Sequence, residues 1–321
     1  MDSLSYIRGA ELPLIEKTIS QALADTAARF PERDGLIVSH QNARFTWAAL
    51  DQEVTRAARG LAGLGLGPGD RAGIWASNCV EWVLLQYAAA RAGVVLVNVN
   101  PAYRSHELRY VLRKSRMRAL FLRARDARAD YGAILAESRN GDALPLEHVV
   151  WLGDRSWQEM LDGGRDYPGD AAGPHDVANI QYTSGTTGSP KGVMLSHHNL
   201  LNNGMAMGRG LHATERDRIC APVPLYHCFG SVIGSMVSVV SGAALILPSA
   251  QFDALATLEA VHRERATALY GVPTMFIAEL GYPEFGRFDL TSLRTGVMAG
   301  APCPIEIMKQ VVERMHIPEL T

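Results

Sequence analysis

Hydrophobic positions along the chain switch between a helical and a strand-like period, and the switches predict most of the elements. Residues 14–29 follow the helical period and stop at Phe30-Pro31, after which 35–39 and 43–45 read as two short strands around a polar turn. Thr46 stands as an N-cap before Trp47, Leu50, Val54, Ala57, Leu61 and Leu64, which share one face, with Asp51, Glu53, Arg56 and Arg59 elsewhere. The glycine-rich run 63–70 follows this helix and precedes a strand at 71–75, the wrong order for a dinucleotide loop, so it reads as a helix C-cap and turn.

From Arg71 onward strands and helices alternate. Asn78 is placed to cap a helix reaching about Ala92, Gly93 stops it, and 94–99 is a β-branched run typical of a buried parallel strand. Ser105 opens a further helix, and another begins near Ser196. Asp253 caps a helix to about Arg265, 267–270 forms a strand, Pro273 opens a helix to Leu280, and 295–298 is a strand. Pro304 opens a last helix whose expected apolar face is Ile305, Met308, Val312 and Met315. The alternation implies an α/β fold, mainly parallel, with helices on both faces.

One uncharged stretch, 229–247, is long enough to cross a bilayer. Its four serines, three glycines and closing Pro248 favour a buried helix to about Val240, a break at Ser241-Gly242, and a strand over 243–247.

Composition narrows the classes. The 321 residues suffice for about two domains or one large one, and 31 basic against 33 acidic residues leave no reason to expect a polyanionic partner. Arg109, Arg113, Lys114, Arg116, Arg118, Arg123, Arg125 and Arg128 form a basic run without interleaved aromatics, hence a solvated face rather than a nucleic-acid groove. Cys79, Cys220, Cys228 and Cys303 show no metal or redox spacing and read as reduced thiols. With no secretory pattern at the start of the sequence, the expected location is cytoplasmic. Residues 162–174, rich in Gly, Pro and Asp, read as a loop.

That loop leads to the one stretch where chemistry is legible, Tyr182-Thr-Ser-Gly-Thr-Thr-Gly-Ser-Pro-Lys-Gly192. Glycines let backbone N–H groups form an anion nest, hydroxyls add donors, and Lys191 supplies a compact charge, a composition suited to phosphate. A strand-like run at 177–182 and an apolar run at 193–195 anchor the loop. It is not a Walker A loop, because Ser189-Pro190 stand where Lys-Ser/Thr should follow the last glycine.

YTSGTTGSPKGV at 182–193 resembles the signature of the adenylate-forming (AMP-binding) superfamily, and LYHCFG at 225–230 and GVMAGAP at 296–302 agree in order. The wider text is similar to fatty-acyl-CoA synthetases of the medium-chain type. The resemblance implies the N-terminal domain of such an enzyme: mainly parallel sheets flanked by helices in layered αβαβα order, with sub-lobes 1–70 plus 200–321 and 71–199. It implies that Thr183, Ser184, Gly185, Thr186, Thr187, Gly188 and Lys191 hold the ATP triphosphate. His227 would sit beside the acyl carboxylate and α-phosphate, so His227 and Lys191 are the expected catalytic residues. Phe229, Met298 and Ala299 would lie near the acyl chain, and Gly300, Ala301 and Pro302 along the adenine.

Taken without the resemblance, His227 is better read as a half-buried, hydrogen-bonded histidine, Met298 as core, and Gly300 to Pro302 as a strand-to-helix turn. The implied reactants are a fatty acid, ATP with Mg²⁺, and coenzyme A, all small molecules. The family's Mg²⁺-binding Glu, ribose-binding Asp and C-terminal lid would fall beyond Thr321. The expectation is therefore an N-terminal fragment with little or no activity alone and no metal ligand of its own. A catalytically inert nucleotide-binding or interaction module, and a ligase for aryl or amino acids, remain alternatives.

Overall fold

The computed structural model describes residues 12–140, 144–167, 169, 172–183 and 190–321. In chain order the elements are α1 (Ile19–Arg29), β1 (Asp34–Val38), β2 (Ala43–Thr46), α2 (Trp47–Gly63), β3 (Arg71–Trp75), α3 (Val80–Ala92), β4 (Val95–Asn98), α4 (Ser105–Lys114) and β5 (Ala119–Leu122). There follow α5 (Tyr131–Ser138), β6 (His148–Trp151), α6 (Arg155–Asp162), β7 (Val177–Thr183), β8 (Lys191–Ser196), α7 (His197–Gly210), β9 (Arg218–Cys220) and α8 (Ser235–Ser241). The last are β10 (Ala244–Leu247), α9 (Ala254–Glu264), β11 (Ala268–Gly271), α10 (Pro273–Leu280), β12 (Thr295–Met298), α11 (Ile305–Arg314) and β13 (Glu319–Leu320).

Two sheets organise these elements. One runs β13-β12-β11-β9-β10-β1-β2, parallel except for β2, and the other runs β6-β5-β3-β4-β7-β8, parallel except for β8. Side chains alternate between faces, as the strand period requires. In β1, Leu36 and Val38 face the central layer while Ile37 joins the outer cluster with Leu258, Phe276 and Val311. In the second sheet Ala72, Leu96 and Phe121 face inward, whereas Val97 and Leu120 pack outward with Leu108 and Tyr131. The order is therefore α9–α11, first sheet, central helices including α1–α3, α7 and α8, second sheet, α4–α5: the expected αβαβα layers. Helix α3 is buried from Glu81 to Ala92 on every side because both sheets enclose it.

Three local expectations need correction. Helix α1 begins at Ile19 rather than Leu14, because Thr18 and Gln21 form a reciprocal capping box that fixes the start. The N-cap of α3 is Cys79, and Asn78 makes no cap bond. On α11 the buried anchors are Val311 and Met315, while Ile305 is 70% exposed and Val312 39%. Four residues separate Val311 from Met315, so they stack on one stripe, and the pair at 305 and 312 points away from it.

The basic run is also less solvated than its composition suggests. Arg118 pairs with Asp70 at 2.6 Å and Glu147 at 2.6 Å, and the Arg109 guanidinium donates to the Ser138 and Glu137 carbonyls. These contacts fasten loops around the second sheet. Stretch 229–247 is a π-helical turn over Phe229–Gly234, then α8, a left-handed Gly242 and β10. Among the described residues no helix is long and apolar enough to cross a membrane.

Candidate functional site

The stretch singled out in the sequence is flanked by two paired strands. Strands β7 and β8 are antiparallel, with Tyr182 opposite Gly192 and Thr183 opposite Lys191. Thr183 and Lys191 are exposed at the head of the hairpin. Ser184, Gly185, Thr186, Thr187 and Gly188 lie outside the described residues. Helix α4 braces the hairpin near its head: the Tyr110 hydroxyl donates to the Pro190 carbonyl at 3.0 Å, and its ring meets Tyr182 edge-on at 6.4 Å. Burial, and then the neighbouring Tyr110, push the Tyr182 phenol up to about 12, so it stays a neutral wall.

Because β7 is parallel to β4, β3 and β5, the hairpin head rises from the same carboxyl edge as Ser77, Asn78, Asn100 and Asp126. Crevices at carboxyl edges are where open α/β sheets bind ligands. Carboxamides on this half of the protein hold the loop that carries His227. Asn98 donates to the Tyr226 carbonyl at 3.3 Å, and Gln86 donates to the Ser231 carbonyl at 2.8 Å. Gln181, on the hairpin's own strand, donates to the Ser231 hydroxyl at 3.3 Å, which donates in turn to the His227 carbonyl at 3.1 Å. The β7–β8 hairpin and the His227 carbonyl are thus linked through Ser231 by two hydrogen bonds in series.

Within its loop, His227 donates its backbone N–H to Pro224 at 3.2 Å and accepts at Nδ1 from the Phe229 N–H, also at 3.2 Å. An Nδ1 that accepts leaves the proton on Nε2. The residue keeps an exposed face, yet its ring is sunk far enough that desolvation holds its pKa below the usual imidazole range. It is therefore a neutral N–H donor near pH 7, suited to an oxyanion. Phe229 is buried and stacks on Tyr270 of β11, with centroids 6.1 Å apart.

The 296–302 stretch divides. Ala299 donates to the Gly271 carbonyl at 3.2 Å and packs on the same central cluster as Phe229. Gly300 takes φ +86, a left-handed conformation that turns the chain outward and favours glycine, and Ala301 and Pro302 follow exposed. Met298 does not join them: it packs in the outer cluster with Val311 and Met315.

Two hollows adjoin the histidine loop. One of about 780 Å³ lies between α7 and the π-helical turn, lined by Leu195, Leu200, Ala206, Val232 and Ile233 together with the polar His198, Asn199, Asn202 and Asn203, and by Cys228. The other, about 190 Å³, is lined from both sheets by Asn78, Arg128, Pro224, Tyr226 and Met275. Neither these residues nor the carboxamides were found from sequence, because nothing in local spacing marks them. An amide at the carboxyl end of a predicted parallel strand was the one signal available.

Solved structures with this architecture are N-terminal domains of adenylate-forming enzymes. The inhibitor-bound N-terminal domain of FACL13 from Mycobacterium tuberculosis superposes with a TM-score of 0.85 at 28% identity, covering 93% of this chain and 73% of that one. The anthranilate CoA ligase AuaEII in complex with anthranoyl-AMP gives a TM-score of 0.85 at 25% identity, covering 96% of this chain and 60% of that one.

The chain belongs to the AMP-binding enzyme family, which matches residues 23–321. Among curated relatives, the mitochondrial medium-chain acyl-CoA ligase ACSF2 of Mus musculus is 42% identical across 99% of this chain. Its human counterpart is 40% identical across 99%. The chain spans 56% of the length of each.

Proposed function

We propose that this chain supplies the acid- and ATP-binding half of an AMP-forming acyl-CoA synthetase acting on a medium-chain fatty acid. The observation that carries the reading is the Gln181–Ser231–His227 link, which couples the phosphate hairpin to a neutral imidazole donor beside an apolar groove. The reaction brings two anions together, carboxylate and triphosphate, so fixed donors must offset their repulsion.

The hairpin, including Thr183 and its tip residues Ser184, Gly185, Thr186, Thr187 and Gly188, cradles phosphate, and Lys191 adds a point charge. His227 Nε2–H donates to the carboxylate and α-phosphate oxygens as a carboxylate oxygen attacks phosphorus and pyrophosphate leaves. Phe229 and Ala299 border the acyl chain, with Met298 behind them, and the groove along Val232 and Ile233 receives its apolar end. Gly300, Ala301 and Pro302 lie along the adenine. In the second step the coenzyme A thiol attacks the acyl carbon and AMP leaves.

Mg²⁺ accompanies ATP in such chemistry. Among the described residues no group of three His, Cys, Asp or Glu side chains gathers as a metal site, and no step assigned to these residues runs through the ion. The two sheets correspond in this reading to sub-lobes 1–70 with 200–321 and 71–199. Four free thiols support a cytoplasmic enzyme.

Calorimetric titration with acyl sulfamoyl-adenosines tests the reading. Saturable binding that peaks near an eight-carbon chain is expected. Absence of binding, or preference for an aryl acyl group, overturns the fatty-acid assignment.

A further inference from the structure

Asn78 is buried, 3% exposed, at the carboxyl end of β3, and it spends its hydrogen-bonding capacity on the other sheet's loops. Its Nδ2 donates to the Val223 carbonyl at 3.0 Å and its Oδ1 accepts from the Leu225 N–H at 2.8 Å. Its backbone N–H donates to Ala250 at 3.0 Å, and its main chain also bonds His40. The side chain therefore brackets Pro224, whose carbonyl receives the His227 N–H. A carboxamide alone among side chains of this length offers a donor and an acceptor to one peptide strand at once.

We infer that Asn78 is a positioning residue for His227: it fixes the 223–225 backbone so that the imidazole holds one tautomer and one orientation. The mechanical part of the inference stands on geometry alone, and its consequence for ligand binding rests on the function proposed above. Asn98 and Gln86 grip positions 226 and 231, so the loop is held at three points, and Asn78 is the one that brackets Pro224, whose carbonyl takes the His227 N–H. Removing it leaves the Phe229 N–H to Nδ1 bond without a fixed frame.

The test uses the whole chain with ¹⁵N-labelled imidazoles at pH 8. Wild-type protein should show His227 as the Nε2–H tautomer. In Asn78→Ala the two ring nitrogens should move toward averaged shifts, with octanoyl sulfamoyl-adenosine binding about 10- to 100-fold weaker, as expected for the loss of both side-chain hydrogen bonds. Asn78→Asp, which keeps the acceptor for Leu225, should fall between, and it decides the matter if the alanine variant fails to fold. Thr26→Val serves as control, since it removes a buried side-chain bond to a carbonyl outside the 223–231 segment, Thr26 to Val239 at 2.6 Å. It should leave the His227 signals unchanged. Wild-type His227 signals in a folded Asn78 variant, or an equal change in Thr26→Val, overturn the assignment. If the wild-type chain does not bind the analogue, the functional reading fails while the tautomer comparison still decides the role of Asn78.

Discussion

His227 and Lys191 sit in different environments, and the roles proposed for them predict different responses. Lys191 is exposed at the hairpin head, where the proposed function has it act as a charge. Its replacement by Ala should weaken ATP binding about 10- to 100-fold, the range for a lost charge-assisted hydrogen bond, with Lys191→Arg recovering part of it by titration calorimetry. His227 is instead tuned by desolvation toward the neutral form. Its NMR titration midpoint should therefore lie below 6.5, and an ordinary or raised midpoint would remove the neutral-donor role. At this scale the family signature was legible because it is contained in consecutive residues, 182–193, inside the matched family region. Asn78 was misread as a cap because the cap rule is local, whereas its partners are 145 and 147 positions away. A short polar side chain before a helix serves either use equally well until the chain has folded.

Elements were most legible where punctuation and burial agree. Helix α10 (Pro273–Leu280) and strand β12 (Thr295–Met298) match the sequence reading residue for residue, the first opened by proline and the second buried throughout. The hairpin was harder: β8 is an exposed edge strand over Lys191 to Met194, so it lacks the alternation that identifies a half-buried strand. The apolar face of α11 was assigned half correctly for a related reason: Met308 and Met315 pack in the outer cluster while Ile305 and Val312 are exposed, since several phases of one helix carried apolar residues and only packing selects among them. Gly230 lies where the histidine loop enters the π-helical turn, and a Cβ there would sit 2.4 Å from the Pro224 carbonyl oxygen. Gly230→Ala should therefore cost about 1–3 kcal/mol by denaturant unfolding, as overpacking does, and weaken analogue binding more than a comparable core substitution. Unchanged binding would detach the π-helical turn from the site.

At the scale of the molecule, the five layers followed from alternating strands and helices together with the family resemblance. What sequence could not place is the polar seam that joins the halves, because carboxamide contacts between distant segments leave no periodicity. The outer layer carries a cost that the sequence also concealed: Glu279 of α10 is 1% exposed, with neither carboxyl oxygen hydrogen-bonded. Burial raises its pKa well above 4.5, so the folded state keeps a proton that the unfolded chain releases, and stability falls as pH rises beyond the ordinary carboxylate range. Glu279→Gln should flatten that decline. Its Tm advantage over wild type should be larger at pH 8 than at pH 5, at roughly 2–4 °C per kcal/mol recovered. Equal Tm differences at both pH values would show that the carboxyl does not titrate as its burial dictates.

The central claim is that the phosphate hairpin, the His227 loop and the 296–302 turn form one binding surface. Hydrogen exchange of this chain with and without octanoyl sulfamoyl-adenosine tests it directly. The account predicts coordinated protection across 183–192, 223–233 and 296–302, with smaller changes in the outer helices α9–α11. Protection confined to one of the three stretches, or appearing chiefly elsewhere, would contradict it.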